Sequence, residues 1–317
     1  MRRMLFQYTD TQALAGIVES CAIRATDFRY LNDSLELSYV WDALVSRLYA
    51  LSKEPDDGHR HAYNTMLDAI RRLHAEDLRN YDQSIFVACF TELKDAVSQW
   101  SRYGANGQGV ALGFDADKIV GLRAEYHHHH PDGKLSPVLD QNQMPLTWPC
   151  SLQPVEYGDS ARDVLVTSLV EMVRAIGATD DPATDAFNYI HQLGGLLPHV
   201  PLVKHEAFED EREHRITASE HFGGMTPLHR HAVGSLGASF RPFTNMPMTT
   251  LDVKFRPSGA TLFTPYIELA LPRDALVTVV LGPSVTDPLA PATVRRLLRR
   301  RGYLETDVEL SKLPYQS

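Results

Sequence analysis

Two runs of the chain, SIFVACFTE at 84–92 and GVALGFD at 109–115, are dense in apolar, aromatic and β-branched residues and short enough to be buried strands. Between them, DAVSQWSRYG reads as a helix-like turn and Ala-Asn-Gly as a tight reversal, with glycine supplying positive φ. Strand-like runs also occur at LFQYTD (5–10), in CAIRATDFRYLND (21–33), and at REHRITAS, VKFRP, PYIELAL and ALVTVVLGP. Thr9 or Asp10 is placed to cap a helix over TQALAGIVES, and PATVRRLLRRRGY reads as a helix with Gly302 at its end. The strands do not alternate regularly with helices, so a doubly wound fold is excluded. The expected class is α+β: a mixed, largely antiparallel sheet with helical insertions.

Residues 1–317 are expected to form one such domain. A helical insertion covers about 36–80, where Leu37, Val40, Leu44 and Leu48 follow the helical period. A second insertion covers about 118–200. Its first part, Gly121 to Pro154, reads as irregular chain, and residues 160–197 return to helical spacing.

The glycines of GANGQG suggest a phosphate loop, but neither known pattern fits. No Lys-Ser/Thr pair follows Gly104, Gly107 or Gly109, and these glycines precede a strand, not a helix whose amides would face a pyrophosphate. Trp100 and Tyr103, at i,i+3, share one face of the preceding turn. They read either as core or as an aromatic wall for a planar ring, with Ser98, Gln99 and Ser101 nearby for hydrogen bonding.

The chain is 44% hydrophobic and 22% charged and has no apolar run long enough to span a bilayer, so no membrane partner is expected. The N-terminus lacks a long apolar stretch and a small-residue cleavage site, which makes the cytoplasm the expected location. Cys21, Cys89 and Cys150 fit reduced thiols better than a disulfide framework or a zinc site. A net charge of −9 opposes nonspecific coating of nucleic acid; the densest basic run, RRLLRRR at 295–301, reads as an exposed helix face. His127 to His130 lie beside Pro131, Asp132 and Gly133 and read as an exposed loop rather than a metal site. PLHRH, with His229 and His231, has no metal-ligand spacing either. No G-x-S-x-G elbow is present.

The segments LFQYTD, AIRATDFRYLNDSLE, VACFTELKDAVSQWSRYGANGQGVALGFD, FEDEREHRI, PYIELAL and VVLGPS resemble, in order and spacing, a bacterial family known as domain of unknown function 2971. That family looks like a remote relative of the ADP-ribosyltransferases, including DarT-type toxins. The resemblance implies a split sheet, NAD as substrate, and transfer of ADP-ribose to an unknown protein or nucleic-acid acceptor, or hydrolysis of NAD. It also implies a toxin or antiviral defence role, with an antitoxin or a defence-system partner. Tyr8 and Thr9 match the opening-strand element of such folds, and Gln7 stands where a His is common.

Cleavage of the N-glycosidic bond of NAD builds positive charge on the ribose, which a carboxylate offsets. FEDEREHRI supplies Glu211 and Glu213, and in a strand these share a face with Arg215. Glu213 would oppose the sugar charge, Glu211 would orient the acceptor, and Arg215 would reach a carboxylate or a pyrophosphate. The same residues also read as a solvated charge run with strand ion pairs. Asn32 and Asp33 form an Asx turn, or else hold Arg24 and Asn32 at the cofactor. Two further readings remain open: a metal-dependent nuclease using the acidic cluster, and a non-catalytic sensor of a nucleotide or phage ligand.

Overall fold

The computed structural model describes residues 2–31, 36–54, 58–75, 84–130, 132–150, 152–175, 197–219, 248–258 and 262–314. The opening run forms β1 (Met4–Thr9) and passes directly into α1 (Thr11–Ser20), where Asp10 caps the helix by accepting from the Ala13 amide at 2.6 Å. β2 (Ala22–Asp27) follows, and then the helical stretch α2 (Glu36–Lys53) and α3 (Arg60–Ala75). The two central runs form β3 (Ile85–Thr91) and β4 (Val110–Asp115), separated by the short helix α4 (Val97–Arg102). After β4 come the single-turn α5 (Ala116–Ile119) and the strands β5 (Arg123–His129), β6 (Leu135–Pro137), β7 (Thr147–Pro149), β8 (Leu152–Pro154) and β9 (Glu156–Tyr157). α6 (Gly158–Ala175), β10 (Val203–Lys204) and β11 (Glu213–Ser219) lead to β12 (Met248–Leu251), β13 (Lys254–Ser258), β14 (Leu262–Ala270), β15 (Leu276–Leu281), α7 (Ala290–Arg300) and β16 (Asp307–Leu310).

The fold is α+β. The main sheet runs in the order β13-β14-β2-β3-β1-β4-β15-β16, with β11 on β3 and β8 on β11. Its pairings are antiparallel except β15 with β16. One apolar cluster joins the sheet to α1 and α7 through Leu5, Leu14, Ile17, Phe90, Leu112 and Leu298. A second joins α2, α3 and α6 to β3 through Val40, Leu44, Tyr63, Met66, Leu169 and Val87.

One irregularity in this sheet opens a space. β11 pairs with β3 along its whole length, from Glu213↔Thr91 to Ser219↔Ile85. The other edge of β3 is shared: β1 meets it at Phe6↔Thr91, and β2 at Thr26↔Val87 and Asp27↔Phe86. Between those contacts, at residues 88–90, β1 and β2 diverge and the edge of β3 faces the gap.

The His tract departs from the expected loop. His127 to His129 belong to β5, which pairs with β6, β7 and β12. The cause is the alternation just before the tract, where Ala124 and Tyr126 are buried while Arg123 and Glu125 are exposed. The stretch 121–154 is therefore not wholly irregular: β5, β6 and β7 form a small antiparallel sheet with β12, and β8 joins the main sheet. Of the expected second helical stretch, α6 covers Gly158–Ala175.

The glycine run is structural. A Cβ on Gly109 would stand 2.2 Å from the Thr9 carbonyl oxygen, and one on Gly282 would stand 2.1 Å from that of Gly107. The Gly282 amide donates to Gly109 O and the Ser284 amide to Gly107 O, both at 2.9 Å, so the turn is tied to the end of β15. Positive φ falls on Ala105 and Asn106 as well as on Gly107.

Candidate functional site

The gap between β1 and β2 is a cavity of about 270 Å³. Five consecutive residues of β3, 87 to 91, line it, as expected where the edge of a strand borders the space. β1 contributes Gln7, Tyr8 and Thr9, β2 contributes Arg24 and Thr26, and β13 contributes Arg256. Tyr103, Gln99, Lys204, Glu211, Glu213 and Arg215 complete the opposite side.

On that side the charges are buried and interlocked. β11 begins at Glu213, and alternation puts Glu213 and Arg215 on one face. Arg215 Nε donates to Glu213 Oε1 at 2.7 Å and Nη2 to Oε2 at 3.0 Å, while Nη1 donates to the Pro201 carbonyl at 2.6 Å. Glu211 lies just before the strand, because Arg212 adopts a left-handed conformation with φ of 44°. Its backbone is held by Thr91, whose Oγ1 donates to the Glu211 carbonyl at 2.6 Å. The Glu211 carboxylate accepts from Arg102 Nη1 at 2.8 Å and from the Tyr103 hydroxyl at 3.0 Å.

Lys204 bridges the two acids, with Nζ 2.9 Å from Glu211 Oε2 and 3.1 Å from Glu213 Oε2. It reaches this place because β10 runs parallel to β9, whose Tyr157 hydroxyl accepts from the Glu213 amide at 2.8 Å. Burial alone would raise the Glu213 carboxyl, but Arg215 and Lys204 outweigh it and hold the group below its ordinary value. Tyr103 moves the other way, raised first by burial and then by the Glu211 charge. The solvated charge run is thus corrected: Glu211, Glu213 and Arg215 are all buried, and only Glu209, Asp210 and Arg212 of that stretch are exposed.

The sequence-predicted site residues divide as follows. Gln7, Tyr8, Thr9, Arg24, Tyr103, Glu211, Glu213 and Arg215 line the one cavity. Trp100 does not: it is fully buried, edge-on to Tyr8 with ring centroids 4.7 Å apart, and donates through Nε1 to Asp95 at 2.7 Å. Tyr103, at the end of α4, packs against the same apolar cluster as Trp100, but of the two rings Tyr103 is the one that borders the cavity. Ser98 is half-buried on α4 and is not among the lining residues. Asn32 and Asp33, and likewise His229 and His231, lie outside the described residues.

Among the cavity residues that escaped the sequence reading are Lys204, Arg256 and Thr26. Lys204 sits in a two-residue strand, too short to carry a period, and Arg256 and Thr26 belong to strands otherwise read only as sheet. The Tyr8 hydroxyl is already committed, donating to the Leu93 carbonyl and accepting from the Ala96 amide, both at 3.1 Å. By contrast, Gln7 Oε1 and Gln99 Nε2 are buried and have no hydrogen-bonding partner in the protein. Buried polar atoms are seldom left unpaired, and here an acceptor and a donor border one space.

Residues 99–216 match the model of a family described as "Protein of unknown function (DUF2971)". The matched segment spans less than half of the chain, runs from Gln99 to Ile216, and contains Tyr103, Lys204, Glu211, Glu213 and Arg215. The DUF2971 match supports the resemblance for the segments that fall inside it. The opening strand and the C-terminal strands lie beyond it. No curated protein and no solved structure shows a significant match to the chain. Among the described residues no helix is long and apolar enough to cross a membrane.

Proposed function

We propose that the cavity is an NAD site and that the chain transfers ADP-ribose from NAD to a macromolecular acceptor or hydrolyses the cofactor. The observation that carries this reading is convergence: Gln7, Tyr8 and Thr9 from the first strand meet Tyr103, Glu211 and Glu213 around one space. The two unpaired amide atoms, Gln7 Oε1 and Gln99 Nε2, suit a carboxamide or sugar hydroxyls, which both donate and accept. Sites that enclose a whole ligand usually measure roughly 300–1,000 Å³. At about 270 Å³ the cavity suits one nucleoside half of the dinucleotide, with the remainder at its mouth.

In this reading Glu213 and Glu211 face the sugar, and the Tyr103 hydroxyl, which donates to Glu211 beside Arg102 and Lys204, is the neutral proton donor on that carboxylate. Both acids are already paired, so opposing an oxocarbenium charge requires Lys204 to withdraw from them when substrate enters. The test is nicotinamide release from NAD by the purified protein, compared with Glu211→Gln and Tyr103→Phe. Release that falls by about 100-fold or more in Glu211→Gln, in a protein that still binds NAD, supports the assignment. Equal release by wild type and variants, or none with any acceptor, overturns it.

A second reading is favoured by the closed network itself. Carboxylates fully matched by Lys204, Arg102 and Arg215 make a stable pocket wall, which is what a nucleotide sensor needs. NAD binding without turnover would establish it. The nuclease reading has less support, because the Lys204 ammonium occupies the position between the acids that a divalent cation would take.

A further inference from the structure

The cavity carries the opposite charge from the chain. Arg24, Lys204, Arg215 and Arg256 line it against two acids, Glu211 and Glu213, in a protein of net charge −9. Lys204 and Arg215 are spent on those acids. Arg24 and Arg256 are not, and they come from neighbouring parts of the sheet, β2 and β13, which flank β14.

Both guanidinium groups lie over the same ring, that of Tyr266 on β14, at 5.1 Å for Arg24 and 6.0 Å for Arg256. The nearest carboxylate, Glu268, is 3.8 Å from Arg24 Nε but only 2.7 Å from Lys254 Nζ, so it is shared. Arg24 Nε is buried and makes no hydrogen bond. Arg256 has Thr26, whose Oγ1 accepts from Nη2 at 3.1 Å. Arg24 is fitted closely into its place, since a Cβ on Gly16 would stand 2.6 Å from its Nη2. Two like charges held together at a cavity wall are unfavourable until an anion joins them; burial and the charge of Arg24 both act against the protonated form of Arg256.

We infer that Arg24 and Arg256, laid on Tyr266 with Thr26 beside them, are a phosphate-binding end of the cavity, and that its ligand is a nucleoside diphosphate or an ester of one. Guanidinium forks match phosphate oxygens in pairs. The pyrophosphate role expected of Arg215 passes to this pair, because Arg215 is fully engaged with Glu213 and Pro201. The inference deepens the NAD reading and rests on it for the ligand's identity, but the anion site itself does not depend on it.

The experiment measures binding of inorganic pyrophosphate, ADP and adenosine by calorimetry to the full chain, as wild type, Arg24→Gln, Arg256→Gln and Arg256→Lys. Circular dichroism and thermal midpoints confirm that each variant is folded. Pyrophosphate and ADP should bind wild type, more weakly as salt rises, and adenosine more weakly than ADP. Each Gln variant should lose about tenfold or more in ADP affinity, with partial recovery in Arg256→Lys. Equal ADP affinity in wild type and both Gln variants, or no pyrophosphate or ADP binding to wild type, overturns the inference. ADP binding that needs both arginines, without NAD cleavage, leaves this site standing and removes the transferase. NAD cleavage with a KM unchanged in Arg256→Gln does the reverse.

Discussion

Arg215 holds Glu213 through two parallel hydrogen bonds, 2.7 and 3.0 Å long, with both side chains buried beneath the start of β11. A buried pair of this kind punishes removal of one partner more than removal of both. Arg215→Met should lower stability by about 3–5 kcal/mol in urea unfolding, and Glu213→Leu combined with Arg215→Met should recover much of that loss.

The same pair sets an acid limit. Glu213 is the depressed kind of carboxyl, so its contribution to stability is complete above the ordinary glutamate pKa of about 4.3 and is lost as the pH falls through its lower folded value. Between pH 6 and pH 3, the unfolding midpoint of wild type should therefore drop more steeply than that of the double variant, and parallel curves would contradict the assignment.

Trp100 should behave as core. Trp100→Ala should cost about 3–5 kcal/mol, since the ring is fully buried against Tyr8 and Phe6. Trp100→Phe, which keeps an aromatic ring there, should cost less and leave nucleotide affinity within about twofold, as read by calorimetry below the melting transition.

Gly109→Ala should destabilise through backbone crowding, because the added methyl meets the Thr9 carbonyl oxygen. The expected loss is about 1–3 kcal/mol, seen as a lower denaturation midpoint. A neutral result would show that β1 and the turn part easily.

Much of the fold was legible because its strands are short, apolar and bounded by caps or turns. β1, β3, β4, β11, β13, β14 and β15 all fall where those signals place them. Period-2 alternation puts Glu213 and Arg215 on one face, but it leaves open whether Arg215 meets a carboxylate or a pyrophosphate and it counts Glu211, which precedes the strand, on the same face. What failed did so for local reasons. Identical histidines hide an alternating period, so β5 looked like a loop; the i,i+3 spacing puts Trp100 and Tyr103 together but does not say that Trp100 turns into the core while Tyr103 borders the cavity. Lys204 and Arg256 carry no motif, and only the tertiary meeting of β10, β11, β2 and β13 brings them to one cavity.

The cavity exists because β1 and β2 part company along one edge of β3. The strand-built part of its wall is therefore set by hydrogen-bonded ladders, and the paired amides of β3 and β11 should be among the slower to exchange with deuterium. Changes in selectivity along that wall would come from the side chains that project from it, since moving its strands means unpairing the sheet.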